Sequence, residues 1–294
     1  VRHSTRVGVL IALKSAEGEG LKDILSLIDP HPLVTQEIID LLIWCSRYYH
    51  AGVGACLALA FPPLLRKAGR LPDIGETSGQ EGHTTPSILT YSDDQARAIQ
   101  TIGASLDKRR FQTYVLHGIT GSGKTAVYLA SAMRALEAGR TVIYMVPEIA
   151  LTPQTIARIR ESIPFAMAVF HSGLSPKTRA AEFLKVAHGR ARFVLGTRSA
   201  IFAPLKDVGL IIVDEEHDGS YKQSDGVPYN ARDLAIMRAR TNAAVVVLGS
   251  ATPSMDTYAR ISTHHSALLT MNSRIGEARL PRIVTVDMRG REGV

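Results

Sequence analysis

The eight residues Gly118-Ile119-Thr120-Gly121-Ser122-Gly123-Lys124-Thr125 limit the fold more than any other part of this 294-residue chain. They fit G-x-x-x-x-G-K-[ST] at every position, after an apolar run ending at Leu116 and before a stretch with helical spacing. A glycine-rich turn between a strand and a helix lets backbone N–H groups curl around a phosphate, and the helix N-terminus adds partial positive charge. In that arrangement Gly118, Thr120, Gly121, Ser122 and Gly123 shape the turn. Lys124 reaches the β- and γ-phosphates, and the Thr125 hydroxyl holds Mg²⁺. A nucleoside triphosphate is implied; the reaction is not.

Such a loop needs a parallel sheet around it. Apolar runs at 113–116, 141–146, 166–170, 193–195, 210–213 and 245–248 alternate with helical stretches. Most lack polar alternation, as expected of strands covered on both faces. Thr152-Pro153 and Ser175-Pro176 each put a capping hydroxyl before a proline at the first helical position. The expected class is α/β, a doubly wound parallel sheet. Ahead of it, residues 7–13 read as a short strand. Thr35 can cap a helix whose apolar positions include Ile38, Ile39, Leu42 and Cys45. Residues 68–86, rich in Gly, Pro, Ser, Thr and charge, read as a linker.

A formal charge of +7 and a pI near 9.5 suit an anionic partner, nucleic acid first, but fit a generic basic enzyme equally well. Two cysteines, Cys45 and Cys56, are too few for a disulfide framework or a four-ligand zinc site, and point to a reducing cytoplasm. The apolar stretch 51–65 is short and broken by Gly52, Gly54, Pro62 and Pro63, so no membrane span is expected. No signal peptide is visible, and the start at Val1 and stop at Val294 read as cuts from a longer protein.

The apolar run 210–213 ends in Asp214-Glu215-Glu216-His217. A carboxylate at a strand end beside a phosphate loop can hold magnesium through water, the role expected of Asp214. Glu215 is then placed to orient and deprotonate an attacking water. Glu216 reads as a surface acid. After the next apolar run, Gly249-Ser250-Ala251-Thr252 resembles the Ser-Ala-Thr motif of superfamily 2 helicases, with His217 coupled to Ser250 or Thr252 across strand ends. A small-molecule kinase would share the phosphate loop without this pair. Gln95 has two readings. It completes a capping box from Ser92, or it reads adenine, as a glutamine upstream of the loop does in such helicases.

Further words narrow the resemblance: Val146-Pro147-Glu148-Ile149-Ala150-Leu151-Thr152-Pro153-Gln154, His171-Ser172-Gly173-Leu174, Gly196-Thr197-Arg198-Ser199-Ala200, Tyr221-Lys222-Gln223 and Tyr229-Asn230-Ala231-Arg232-Asp233-Leu234. In this order they resemble the primosomal replication-restart helicase family over residues 92–290. Residues 6–13 and 31–65 resemble, more weakly, the end of that family's domain for the 3′ end of a nascent strand. The resemblance implies a RecA-like helicase domain at 92–275. Before it would come the end of a small DNA-binding domain (1–67) and a linker (68–91). After it, 276–294 would lead to a second RecA-like domain carrying zinc-binding cysteines and an arginine finger. It implies ATP with Mg²⁺, DNA unwinding with 3′ to 5′ polarity, and partnership with other primosomal proteins and single-strand binding protein.

The resemblance also implies DNA-backbone contacts by Pro147, Glu148, Thr152, Gly196, Thr197 and Arg198. It places Tyr221, Lys222, Tyr229 and Arg232 in an aromatic-rich, DNA-sensing loop, from whose usual wording Val227 and Asn230 depart. Ser250, Ala251 and Thr252 would couple the two ligands. The rival reading is a non-catalytic remnant that binds nucleotide and DNA without turnover.

Overall fold

A computed structural model describes residues 7–11, 24–29, 31–67, 90–263 and 265–274. The first apolar periodicity becomes α1 (Gln36–Tyr48), whose N-cap Thr35 accepts the Ile38 N–H, followed by α2 (Val53–Ala60). The capping box at Ser92 opens α3 (Asp93–Asp107), with both of its bonds made. Strand and helix then alternate. In order come β1 (Gln112–Gly118), α4 (Lys124–Glu137), β2 (Thr141–Met145), α5 (Pro153–Ser162), β3 (Met167–Phe170), α6 (Pro176–Ala187), β4 (Phe193–Gly196) and β5 (Val208–Val213). A short antiparallel pair, β6 (Lys222–Gln223) and β7 (Tyr229–Asn230), precedes α7 (Ala231–Thr241), β8 (Val245–Ser250), α8 (Met255–Ser262) and β9 (Ala267–Met271).

Seven strands form one parallel sheet in the order β3-β4-β2-β5-β8-β1-β9. Because side chains alternate across a strand, each apolar run serves two cores. Leu210 and Ile212 of β5 face α3 and α4, whereas Ile211 and Val213 face α1, α6 and α7. The continuous apolar runs are thus the mark of a sheet covered on both sides. Thr152 and Ser175 cap α5 and α6 by accepting the N–H of Thr155 and Thr178, each with proline at the helix start.

The six expected strands are present, and β9 is added at the sheet edge, where its burial alternates. The described residues 7–11 form no strand; the rest of that expected element, 12–13, lies outside the described residues. So do most of the expected linker (68–89) and the expected connection at 276–294. No helix among the described residues is long and apolar enough to cross a membrane.

The packing of α1 and α2 ignores the linker. Ile38, Leu42, Cys45 and Cys56 share a core with Phe183, Ile201 and Leu234 of the sheet domain. Arg238 of α7, 0% exposed, fastens this seam. Its guanidinium donates to Glu37 at 2.9 Å and to the Ile201 carbonyl at 2.6 Å. Burial pushes the guanidinium's pKa down, and the Glu37 charge opposes it.

Removing one partner of such a pair leaves the other charge buried without an answer. Arg238→Ala is expected to cost about 3–5 kcal/mol in urea denaturation, and joint replacement of Arg238 and Glu37 by methionine to recover much of it. An unchanged midpoint in Arg238→Ala would show that the seam does not depend on this pair.

Candidate nucleotide site and nucleic-acid face

The strand order explains why distant motifs meet. β8 lies between β5 and β1, so the ends of three adjacent strands carry Asp214, Ser250 and Gly118 along one edge of the sheet. Beyond β5 the same edge continues through β2 and β4, which end at Met145, two residues before Pro147, and at Gly196. Ligands of open α/β sheets bind in this crevice outside the strand ends.

The phosphate loop runs from the end of β1 to Lys124, the first residue of α4. Gly121 and Gly123 take φ of 83° and 80°, a left-handed region that side chains disfavour. A Cβ on Gly118 would lie 2.5 Å from the Ser122 Oγ, so any other residue there would push that hydroxyl from its seat. Lys124 Nζ donates to the Gly118 carbonyl at 2.8 Å and sits 3.9 Å from Glu215 Oε1, across the mouth of the loop. The Ser122 Oγ is buried without a hydrogen-bond partner. A loop with helix-terminal amides, a lysine at its mouth and an unanswered hydroxyl fits a bound polyphosphate. Gln95 does more than cap. Its Oε1 accepts the Ser92 N–H at 2.9 Å while its Nε2 donates to the Gly123 carbonyl at 3.2 Å. Both ends of the amide are engaged, which pins α3 to the loop.

Three consecutive acids meet three environments. Two tyrosine hydroxyls face the oxygens of Asp214, Tyr128 at 3.0 Å and Tyr144 at 3.5 Å. Burial raises the Asp214 pKa, as does the charge of Glu215, against the Tyr128 hydrogen bond and Lys124. Glu215 is half-exposed and held at φ 45°. Such a backbone costs a residue with a side chain free energy and is kept where other contacts force it. Glu216, expected at the surface, is 2% exposed. Its carboxylate accepts from Arg232 Nη1 (3.0 Å), the Ser254 N–H (2.7 Å) and hydroxyl (3.1 Å), and the Thr257 hydroxyl (2.8 Å). It points under β8 because its own N–H is bonded to the Gly249 carbonyl.

His217 reaches the Ser250 hydroxyl through Nδ1 at 2.8 Å, as the strand-end reading expects of that pair. Ser250 also accepts the Thr252 N–H at 2.9 Å, leaving its proton for His217 and favouring the Nε2–H tautomer. Ala251 offers its carbonyl to His117 Nε2 at 3.2 Å, a second link between the phosphate strand and this turn. Among the described residues no group of three or more His, Cys, Asp or Glu is arranged to hold a metal ion by itself. A magnesium ion here would rest on Thr125, Asp214 and phosphate oxygens.

On the β2–β4 side, Pro147 and Thr197 are buried, Glu148 is exposed and Thr152 is partly so. A Cβ on Gly196 would meet the Phe170 carbonyl at 2.3 Å, so the strand crossing itself requires glycine. Arg198, half-exposed, donates to the Lys222 carbonyl at 3.2 Å. The loop expected to stack on DNA needs correcting. Tyr221 is 1% exposed, with its hydroxyl 2.6 Å from the Asp214 carbonyl; Tyr229 is buried edge-on against Phe202. Arg232 is buried between Glu216 and Asp256. Their rings and charge are spent inside the protein, and Lys222 is the exposed member. Tyr128, Tyr144 and Glu216 were missed by sequence reasoning. Tyr128 carried a signal, one helical turn after Lys124 on the same side.

Residues 92–261 match the DEAD/DEAH box helicase family, and residues 1–62 match the PriA 3′DNA-binding domain. The chain is 43% identical to the replication restart protein PriA of Bacillus subtilis over 68% of its length, covering 25% of that protein. It is 31% identical to PriA of Chlamydia pneumoniae over 98% of its length, covering 48% of it, and 37% identical to PriA of Treponema pallidum over 91%, covering 40%. The chain thus spans at most about half the length of these relatives.

Neighbouring acids should behave oppositely. Glu216→Ala strands the buried Arg232 and is expected to cost about 3–5 kcal/mol. Glu215→Gly relieves the left-handed backbone and should leave stability within about 1 kcal/mol of the parent. Denaturation midpoints of the two variants check this directly; similar losses would contradict the assignment.

Proposed function

Because the chain belongs to the DEAD/DEAH box helicases, as a helicase of the PriA type, we propose that it is the ATP-hydrolysing motor of a DNA helicase acting in replication restart. The observation that carries this reading is the His217–Ser250 bond. It joins the acid box beside the phosphate loop to the turn after β8, a connection useful to a motor and idle in a simple kinase.

In this reading Lys124, released from the Gly118 carbonyl, meets the β- and γ-phosphates. Thr125 and Asp214 hold a magnesium ion, which supplies charge neutralisation when bound. Glu215, partly exposed beside the mouth, orients the attacking water and takes its proton. Tyr128 and Tyr144 fix the two oxygens of Asp214. Gln95 serves the nucleotide site by holding the loop. The motifs at the ends of β2 and β4, with Arg198 and Lys222, face the DNA backbone, which suits their N–H groups, hydroxyls and cations. Tyr221 ties the Lys222 loop to Asp214, so DNA on the loop can be felt at the acid box. Fork DNA, 3′ to 5′ polarity, primosomal partners, single-strand binding protein and a cytoplasmic location belong to the same proposal.

Lys124→Ala is expected to lower affinity for a non-hydrolysable ATP analogue at least tenfold in calorimetry, about 1.4 kcal/mol. Equal affinity would remove the phosphate role. For DNA, Arg198→Ala should flatten the log–log salt dependence of single-strand binding by about 0.7, one backbone contact. Fluorescence anisotropy at several salt concentrations measures it, and an unchanged slope would move the track elsewhere.

A further inference from the structure

We propose that the end of α1 carries an aromatic platform for an unpaired base of single-stranded DNA, built by Trp44 and Tyr48. The proposal rests on the DNA-helicase reading and adds a binding site to it.

The two rings lie one helical turn apart and stack nearly parallel, with centroids 4.7 Å apart and planes 16° apart. Tyr49 closes the cluster edge-on, 4.9 Å from Tyr48 and 6.3 Å from Trp44. Trp44 and Tyr49 are seated against the apolar core, but Tyr48 is 59% exposed. Trp44 and Tyr49 cover part of the Tyr48 ring, and the rest of the residue faces solvent. An aromatic ring so placed offers a further flat layer, and every base has a π-face to add to it.

The platform is held still. The Ser46 hydroxyl donates to the Ala51 carbonyl at 2.6 Å, and the Tyr49 N–H closes α1 on the Cys45 carbonyl. His50 follows in the left-handed region at φ 53°. Stacking on a ring that is already ordered avoids the entropy of ordering it.

The surroundings choose the occupant. Exposed Arg47 and His50 flank Tyr48 in sequence. The Tyr49 hydroxyl accepts the Asn230 N–H at 3.1 Å, Asn230 pairs with Lys222 across β6 and β7, and Arg198 donates to the Lys222 carbonyl. A continuous series of contacts therefore leads from the ring stack to two cations, Lys222 at the start of β6 and Arg198 just after β4. Asp40 lies two turns back on the same helix face, its carboxylate occupied by the Gln36 amide. Stacked rings beside exposed Arg47, with Lys222 and Arg198 beyond, match a strand of bases on a phosphate backbone. The tyrosines expected to stack, Tyr221 and Tyr229, are buried, whereas Tyr48 is exposed.

Trp44 is the single tryptophan of the chain, so its fluorescence reports this site alone. A labelled single-stranded thymidine oligonucleotide should quench Trp44 along the same titration curve that its anisotropy traces. Tyr48→Phe keeps the ring and should bind like the parent. Tyr48→Leu should weaken binding about fivefold or more with an unchanged salt slope, because stacking releases no ions. Anisotropy that rises while Trp44 stays unmoved would overturn the platform and leave the helicase reading intact, as would Tyr48→Leu binding like the parent. Loss in Tyr48→Phe as large as in Tyr48→Leu would also overturn it. Absence of any binding by either signal would count against the DNA-helicase reading itself.

Discussion

A carboxylate shut away from water must have its charge answered where it sits, and Glu216 is answered from two helices at once. Arg232 comes from α7, the Ser254 N–H and hydroxyl from the cap of α8, and the Thr257 hydroxyl from its first turn. The backbone beside it is bonded to Gly249 at the end of β8. The acid box, the Ser-Ala-Thr turn and the two helices behind them are therefore one unit. Shifting any of them leaves a buried charge partly unpaired, which proteins tolerate poorly. The His217–Ser250 bond, 2.8 Å long, lies between the two strand ends that this unit joins.

A second close approach sets the other wall of the site. The hydroxyl of Tyr128 lies where a Cβ on Gly249 would stand, 1.5 Å away, so α4 can carry a tyrosine to Asp214 only over a glycine. Gln95 secures the loop from above, and Lys124 rests on Gly118. The pocket's shape is built by groups that need no nucleotide to hold them.

The parallel sheet, the phosphate loop, the helix caps and the acid box were legible because each depends on residues close in sequence. Continuous apolar strands, a hydroxyl before a proline and a glycine pattern carry their own physics. What was illegible depends on strand order. That Glu216 points inward follows from β8 lying beside β5, and nothing in Asp-Glu-Glu-His distinguishes the second glutamate from the first. Tyr221 and Tyr229 read as loop aromatics because their neighbours Lys222, Gly226 and Pro228 are polar or turn-forming. Their burial against Asp214 and Phe202 is a tertiary fact. The composition shift at residue 68 marked a boundary in sequence, yet Arg238 and Glu37 join the two sides in one core.

That joining bears on how a motor could sense its track. The contacts from Tyr48 to Asp214 are short and mostly backbone-anchored: Tyr49 to Asn230, β7 to β6, and Tyr221 to the Asp214 carbonyl. Close-packed interiors do not deform gradually, so a displacement at one end of such a series is either absorbed by an exposed loop or carried onward. Here the loop between β6 and β7 is exposed at Ser224, Asp225 and Gly226, but both of its ends are pinned by buried tyrosines. Movement of the loop tip can relax into solvent; movement of Lys222 or Asn230 cannot do so without disturbing Tyr221. Glu215, held in a strained backbone and not itself buried, is the group in this region with the least to lose by moving. In the proposed motor, Glu215, rather than the phosphate loop, is therefore the point where a signal from DNA would register.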